Sequence, residues 1–217
     1  MRINKFVALA SGVSRRKADL FIKQGRVLIN SIVADLTSRV DDYDVVSLDG
    51  QTLKKPDSYT TIILNKPAGY ICSKDGQGGK TVYELLPDNL QNLKTIGRLD
   101  KDSSGLILLS NDGDLAQTLT HPSFSKVKIY EVTLEKTLSE NDARSIEKGI
   151  ELEDGASKLK LKPLSNPADW RVTMSEGRNR QIRRTFEALD YRINRLHRTN
   201  FGSYKLGDLK EGEFKNV

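Results

Sequence analysis

The sequence predicts an α+β protein: a small N-terminal α/β module followed by a larger domain built on a largely antiparallel mixed sheet. Three observations lead there. Strand and helix patterns follow one another without regular alternation, which argues against a doubly wound sheet. The stretch Lys54-Lys55-Pro56-Asp57-Ser58 is polar, carries a proline and separates two apolar strand signals, so it reads as a linker. A chain of 217 residues suffices for one domain of ordinary size plus an appendage. The expected organisation is therefore a module over residues 1–53, a linker at 54–58 and a domain over 59–217.

In the first module, residues 3–10 read as a short helix with Ile3, Phe6, Val7 and Ala10 on one stripe, ended by Ser11-Gly12. Ser14 is a good N-cap for a second helix over 15–24, which Gly25 closes. Residues 26–29 and 32–34 form a hairpin around Asn30-Ser31, and 45–48 form a further strand before the Asp49-Gly50 turn. Beyond the linker, a strand over 60–65 enters Lys66-Pro67-Ala68-Gly69 and is expected to continue through 70–73. The loop over 74–80 is glycine-rich. Its end, Gly79-Lys80-Thr81, has the look of a phosphate cradle, but Lys74 stands where such a loop needs its first glycine, which favours a surface loop. A strand over 105–110, an Asn111-Asp112-Gly113 turn and a helix over 114–119 follow. Strands at 127–134 and 158–164 flank a helix over 139–148 that Gly149 ends. The chain closes with a strand at 169–175, a helix at 180–189 and a strand at 191–198. No internal repeat is present.

Composition narrows the function. Thirty-five Lys and Arg against 29 Asp and Glu give a net charge of +6, which favours an anionic partner without specifying it. The basic residues are clustered. Residues 14–26 hold Arg15, Arg16, Lys17, Lys23 and Arg26 against Asp19 alone, and residues 175–198 hold seven arginines, no lysine and three acids. Guanidinium groups bind phosphate bidentately and stack on bases, which lysine cannot do. The single Cys72 excludes an internal disulfide and a cysteine-rich metal site, fits a reducing cytoplasmic compartment and sits in an uncharged run as a small buried hydrophobe. Two distant histidines, His121 and His197, give no metal-ligand spacing, so no metal is expected, and no cofactor signature is present. The N-terminus lacks a secretory h-region and no apolar run reaches the roughly 20 residues of a membrane span. A soluble, cytoplasmic, monomeric protein with no membrane association is expected.

The most telling segment is Gly97-Arg98-Leu99-Asp100-Lys101-Asp102-Ser103-Ser104-Gly105-Leu106. It sets a carboxylate, Asp100, at the lip of a buried strand, where a reacting group is plausible. Taken alone, such a carboxylate more commonly pairs with a neighbour such as Arg98 or caps a turn. Two distant segments change that reading: Ser125-Lys126-Val127-Lys128-Ile129-Tyr130 and Glu176-Gly177-Arg178-Asn179-Arg180-Gln181-Ile182-Arg183-Arg184.

In this order, and with the N-terminal module, these motifs make nearly the whole chain resemble the ribosomal RNA pseudouridine synthases of the RsuA/RluB/RluF type. The segment from Ser14-Arg15-Arg16-Lys17-Ala18 through Gly25-Arg26-Val27 to Ile29-Asn30 resembles the S4 RNA-binding domain, departing from it at Ser31, where that family generally has glycine. The resemblance implies a pseudouridine-synthase domain with a mostly antiparallel sheet, no cofactor, and a uridine of ribosomal RNA or a pre-ribosomal particle as partner. It implies that Asp100 is the essential carboxylate, that Arg183 pairs with it, and that Tyr130 stacks on the uracil and serves in removing the C5 proton. Without the motif order, Tyr130 would read as core and Arg183 as a phosphate contact on a solvated helix face. Ile182 is expected under the base as an apolar floor, with Leu99 beside it. Arg98 is suited to filling the gap left by an extruded nucleotide or to binding its phosphate, and Lys66 and Pro67 belong to a motif that supports the base pocket. Arg178, Arg180 and Arg184 are the expected RNA contacts of the large domain, and Arg15, Arg16, Lys17 and Arg26 those of the small one. His121-Pro122-Ser123 and residues 149–155 lean towards the large-subunit, RluB-like members. The competing reading is a non-catalytic RNA-binding or ribosome-assembly factor, which would have no use for a carboxylate among arginines.

Overall fold

The computed structural model describes every residue except Asp57, Gln77 and Ser125, so parts of the expected linker, of the 74–80 loop and of the 125–130 motif lie outside the described residues. The chain divides into two compact units, Met1–Tyr59 and Thr60–Val217, and the α+β class expected from the sequence is the one observed.

In the first unit, α1 (Ile3–Ser11) and α2 (Arg15–Lys23) accompany a sheet of β1 (Val27–Ile29), β2 (Ile32–Val33), β3 (Val46–Leu48) and β4 (Gln51–Thr52), ordered β2-β1-β3-β4. Ile3, Phe6 and Val7 of α1 meet Ala18 and Ile22 of α2 and Val27 and Val46 of the sheet in one core. The Ser14 hydroxyl accepts from the backbone N–H of Lys17 at 3.1 Å, which fixes where α2 starts. Asn30 and Ser31 both adopt left-handed φ angles, 51° and 70°, as a two-residue hairpin turn requires. Ser31 is strained in the position where glycine would rest easily. The Asn30 side chain offsets this by donating to Asp44 and accepting from the Val45 N–H.

The second unit is a nine-stranded sheet with a main path of β11-β12-β8-β13-β7-β5-β15, while β6 adds to β7 and β14 to β13. The strands are β5 (Thr61–Lys66), β6 (Lys94–Ile96), β7 (Ser104–Ser110), β8 (Lys128–Leu134), β11 (Lys160–Pro163), β12 (Asp169–Met174), β13 (Ile193–Phe201), β14 (Tyr204–Lys205) and β15 (Phe214–Asn216). A separate hairpin pairs β9 (Ile150–Leu152) with β10 (Gly155–Ser157). Helices α3 (Gly113–Thr120), α4 (Glu140–Lys148) and α5 (Gln181–Glu187) complete it. Every residue of β7 is buried, because alternate side chains enter different cores. Ile107 and Leu109 join the cluster that includes Ile182 and Phe186 of α5 and Ile146 of α4. Leu106 and Leu108 join Ile63, Leu119 and Phe201 in the other.

The pairing of β13 with β7 is parallel, whereas the other described ladders are antiparallel. It brings the backbone of Arg198 against Gly105, which has φ +104°; a Cβ there would stand 2.3 Å from the Arg198 carbonyl oxygen. Only glycine fits that approach.

The expected extension of β5 through residues 70–73 does not form. Pro67 has no N–H to give a ladder and Gly69 turns the chain at φ +92°, leaving one bridge between Ile71 and Thr81. The sequence reading also missed β6, the β9–β10 hairpin, β14 and β15. All are short, and two or three residues carry too little periodicity to be recognised.

Candidate active site

A cleft of about 310 Å³ opens in the second unit, and the three separated motifs meet there. The loop ahead of β7 contributes Arg98, Leu99 and Asp100; β8 contributes Tyr130; the turn into α5 contributes Arg178, Arg180, Ile182 and Arg183. Leu99, Tyr130 and Ile182 are buried parts of the main core, so the apolar wall of the cleft is also the inner face of the sheet. Arg98 is exposed at its mouth.

The Asp100 loop is tied down from behind. The Ser103 N–H donates to the Asp100 carbonyl at 3.1 Å, and the Lys101 carbonyl accepts from the Gly69 N–H at 2.6 Å. Lys66, fully buried, donates its ammonium to the carbonyls of Pro67 and Lys101 at 2.9 and 3.4 Å. Burial holds its pKa below the ordinary lysine value against the opposing charges of Cys72, Asp102 and Asp100. Lys66 and Pro67, expected to support the base pocket, do not line the cleft themselves: Lys66 ends β5 beneath the loop, and its ammonium serves the backbone that carries Asp100.

The expected pairing of Arg183 with Asp100 is corrected by the structure. Arg180 faces Asp100, with Nη1 3.6 Å from Oδ2, and also donates to Asp102 at 3.2 Å. Arg183 instead turns under the loop, donating to the carbonyls of Ile193 and Asp102 at 3.2 and 3.1 Å. Its Nε lies 3.2 Å from Asp102 Oδ2, out of line for a hydrogen bond. The reason lies in the start of α5. Arg180 caps it with a left-handed φ of 47°, which sends its side chain over the loop, while Arg183 sits one turn on, among the buried residues of the helix. Desolvation raises the Asp102 carboxyl, but the Arg180 hydrogen bond and the charges of Arg183 and Arg180 outweigh it and hold the group below its ordinary value.

Arg178 and Arg184, expected to contact RNA, are engaged within the protein. Arg184 grips Asp154 with both terminal nitrogens, at 3.0 and 2.8 Å. Arg178 donates to the Asp154 carboxylate and to the carbonyls of Asp154, Gly155 and Ala156, all within 2.9 Å. They fasten the β9–β10 hairpin to the turn before α5. In the first unit, Arg26 is likewise paired with Asp49, at 2.8 and 2.5 Å, and lies over Phe21, whereas Arg15, Arg16 and Lys17 are exposed along α2.

Sequence reasoning missed four residues of this cleft region: Asp102, Lys128, Arg198 and Phe201. Asp102 had a signal, since a second carboxylate two positions after Asp100 in one turn shares its lip. Arg198 had another, because an arginine in phase with Leu196 on a strand faces inward. Among the described residues no group of three His, Cys, Asp or Glu side chains is placed to hold a metal ion, and no helix is long and apolar enough to cross a membrane.

A carboxylate held beside arginines above an aromatic and aliphatic floor, on a mixed sheet, makes a cleft suited to acid–base or nucleophilic chemistry on a planar, anionic substrate. Residues 60–188 match the RNA pseudouridylate synthase family and residues 1–46 the S4 domain. The chain belongs to the RNA pseudouridine synthases, isomerases of the RsuA/RluB/RluF family that carry an N-terminal S4 domain. It is 34% identical over 224 residues to the ribosomal large subunit pseudouridine synthase B of Bacillus subtilis (strain 168), covering all of this chain and 91% of that protein. It is also 34% identical over 220 residues to the ribosomal small subunit pseudouridine synthase A of Escherichia coli (strain K12), covering 99% of this chain and 95% of that one. A crystal structure of a pseudouridylate synthase superimposes with a TM-score of 0.72 at 31% identity, covering this whole chain and 96% of the other.

Proposed function

We propose that the protein converts one uridine of ribosomal RNA to pseudouridine, with Asp100 as the essential carboxylate. The observation that carries this is the convergence of Asp100, Tyr130 and Arg183, from three distant segments, around one cleft of nucleotide size. The reaction breaks the bond from ribose C1′ to uracil N1, turns the base and joins C1′ to C5, with loss of the C5 proton and its return to the departing nitrogen. Atoms and electrons balance within the nucleotide, so the site must supply only charge, a proton acceptor and shelter from water.

Each need has a candidate group. Asp100 is half-exposed at the cleft and steadied by Arg180, so its carboxylate can reach the glycosidic bond. Tyr130, buried in β8, offers a ring for the uracil and a hydroxyl towards C5. Ile182 closes the floor, and Arg98 at the mouth is free to occupy the space an extruded nucleotide leaves. Arg183 acts by fixing the loop on which Asp100 stands. The α2 residues Arg15, Arg16 and Lys17 supply a second phosphate-binding surface, so recognition draws on RNA shape together with an exposed loop base.

The finer assignment is to the large-subunit RNA, resting on His121-Pro122-Ser123 and on residues 149–155, which form the end of α4 and the hairpin clamped by Arg178 and Arg184. Relatives named for either subunit match at equal identity, so the experiment must read both RNAs. Pseudouridine mapping of total ribosomal RNA from cells with and without the protein should show one large-subunit position lost in its absence. A loss in the small-subunit RNA would reassign the substrate, and an unchanged map in both would overturn the reading.

A further inference from the structure

Two cations share one corner of the cleft without a carboxylate between them. Arg198, on β13, stands directly across from Tyr130 of β8 and is only 2% exposed. Its Nε donates to the Leu106 carbonyl at 2.8 Å, while Nη2 is buried with no hydrogen-bond partner. Lys128, at the start of β8, donates to the backbone carbonyl of Glu176 at 2.9 Å; the Glu176 carboxylate itself is engaged by Gln181 and Arg178. The ring of Phe201 joins the two cations, with Arg198 Cζ 4.9 Å and Lys128 Nζ 5.6 Å from its centroid. All three side chains line the cleft.

An aromatic ring attracts a cation and does not neutralise it. A buried cation without a counter-charge is costly to hold away from water. Burial, and then the charge of Arg198, push the Lys128 ammonium below its ordinary value, with Glu176 opposing. Other cations of the cleft are differently placed: Arg98 is exposed to solvent at the mouth, Arg180 has Asp100 and Asp102, Arg178 has Asp154, and Arg183 has Asp102. Lys128 and Arg198 are thus the pair that an incoming anion would complete.

We propose that Lys128 and Arg198 form a phosphate subsite that holds the phosphodiester of the uridine drawn into the cleft. This rests on the reading of the cleft given under Proposed function. Residues directly opposed on antiparallel strands have Cβ atoms about 4.5–5.5 Å apart and point to the same face. A base against Tyr130 therefore brings its own ribose phosphate to Arg198. Binding there orients the sugar relative to Asp100 before any bond breaks.

The test titrates the intact protein with uridine 5′-monophosphate, uridine and inorganic phosphate by calorimetry, using wild type, Lys128→Met and Lys128→Arg. Wild type is expected to bind the monophosphate about tenfold more tightly than uridine, the effect of one or two charge-assisted hydrogen bonds. Lys128→Met should reduce this preference at least threefold, and Lys128→Arg should restore it. Arg198→Lys, which keeps the charge but shortens its reach, should reduce the preference at least threefold. Equal binding of the two nucleoside probes to wild type, absence of binding by either, or an undiminished preference in Lys128→Met would overturn the subsite. Inorganic phosphate displacing the nucleotide at equal affinity would mark a free-phosphate site and also overturn it. Pseudouridine formation in ribosomal RNA is measured in parallel: its absence in wild type counts against the reaction, whereas the monophosphate preference alone decides the subsite.

Discussion

Arg180 Nη1 lies 3.6 Å from Asp100 Oδ2 and 3.2 Å from Asp102 Oδ1, so a single guanidinium bridges both carboxylates of the loop. The more deeply buried Arg183 holds the same loop through the backbone of Asp102. One arginine meets the charge and the other meets the chain, which separates the consequences of removing each.

Replacing Asp100 with Asn keeps the shape of the loop and removes its negative charge. Pseudouridine formation should fall below detection while RNA affinity stays within about threefold, because only the chemical step uses the carboxylate. Tritium release from 5-tritiated uridine in RNA and filter binding read the two effects. Turnover retained in this variant would exclude the role given to Asp100.

Arg183→Met should cost about 3 kcal/mol of stability, since it strips buried carbonyls of their donor and removes a cation beside Asp102. Arg180→Gln, at a pair 40% and 39% exposed, should cost no more than about 1 kcal/mol. Urea unfolding of the two variants compares them directly. Similar losses would mean that Arg180 is as structural as Arg183.

His197 is buried, with Nδ1 2.8 Å from the Ser104 hydroxyl, and burial together with the Arg195 charge lowers its pKa from the ordinary 6.5. Below that pH the unfolded chain takes up a proton on this ring that the folded chain resists, so folding stability falls as the pH drops from about 6.5. His197→Asn should flatten this fall by up to about 1.4 kcal/mol per pH unit between pH 6.5 and 5. Unfolding midpoints of both proteins across that window measure it, and parallel curves would remove His197 from the account.

Arg15→Ala with Arg16→Ala should weaken RNA binding and reduce the slope of log affinity against log salt by about one to two, as two phosphate contacts are lost. Both side chains are exposed on α2, so the fold should be unaffected. A salt slope equal to that of wild type would rule out this helix as an RNA anchor.

Much of the architecture was legible because its signals are local. Ser14 starts a helix by capping Lys17, and Asp112 does the same for α3 through the N–H groups of Asp114 and Leu115. The long apolar strand before Asn111 could only be a buried one. The order of three motifs likewise marked Asp100, Tyr130 and Ile182 as neighbours. The short strands were not legible, since β6, β14 and β15 exist only because a partner strand stands ready to bond them.

By itself the sequence determined the class of fold, the family and the residue types gathered at the cleft, because caps, periodicity and motif order are properties of neighbouring positions. Tertiary structure alone decided which arginine meets which acid. Seven guanidiniums within 24 positions are chemically alike; burial, the left-handed turn at Arg180 and the parallel seam between β13 and β7 distribute five of them among Asp100, Asp102, Asp154 and the corner beside Tyr130, and leave Arg192 and Arg195 exposed. Those contacts span up to 92 positions along the chain, a distance over which no local pattern can specify a partner.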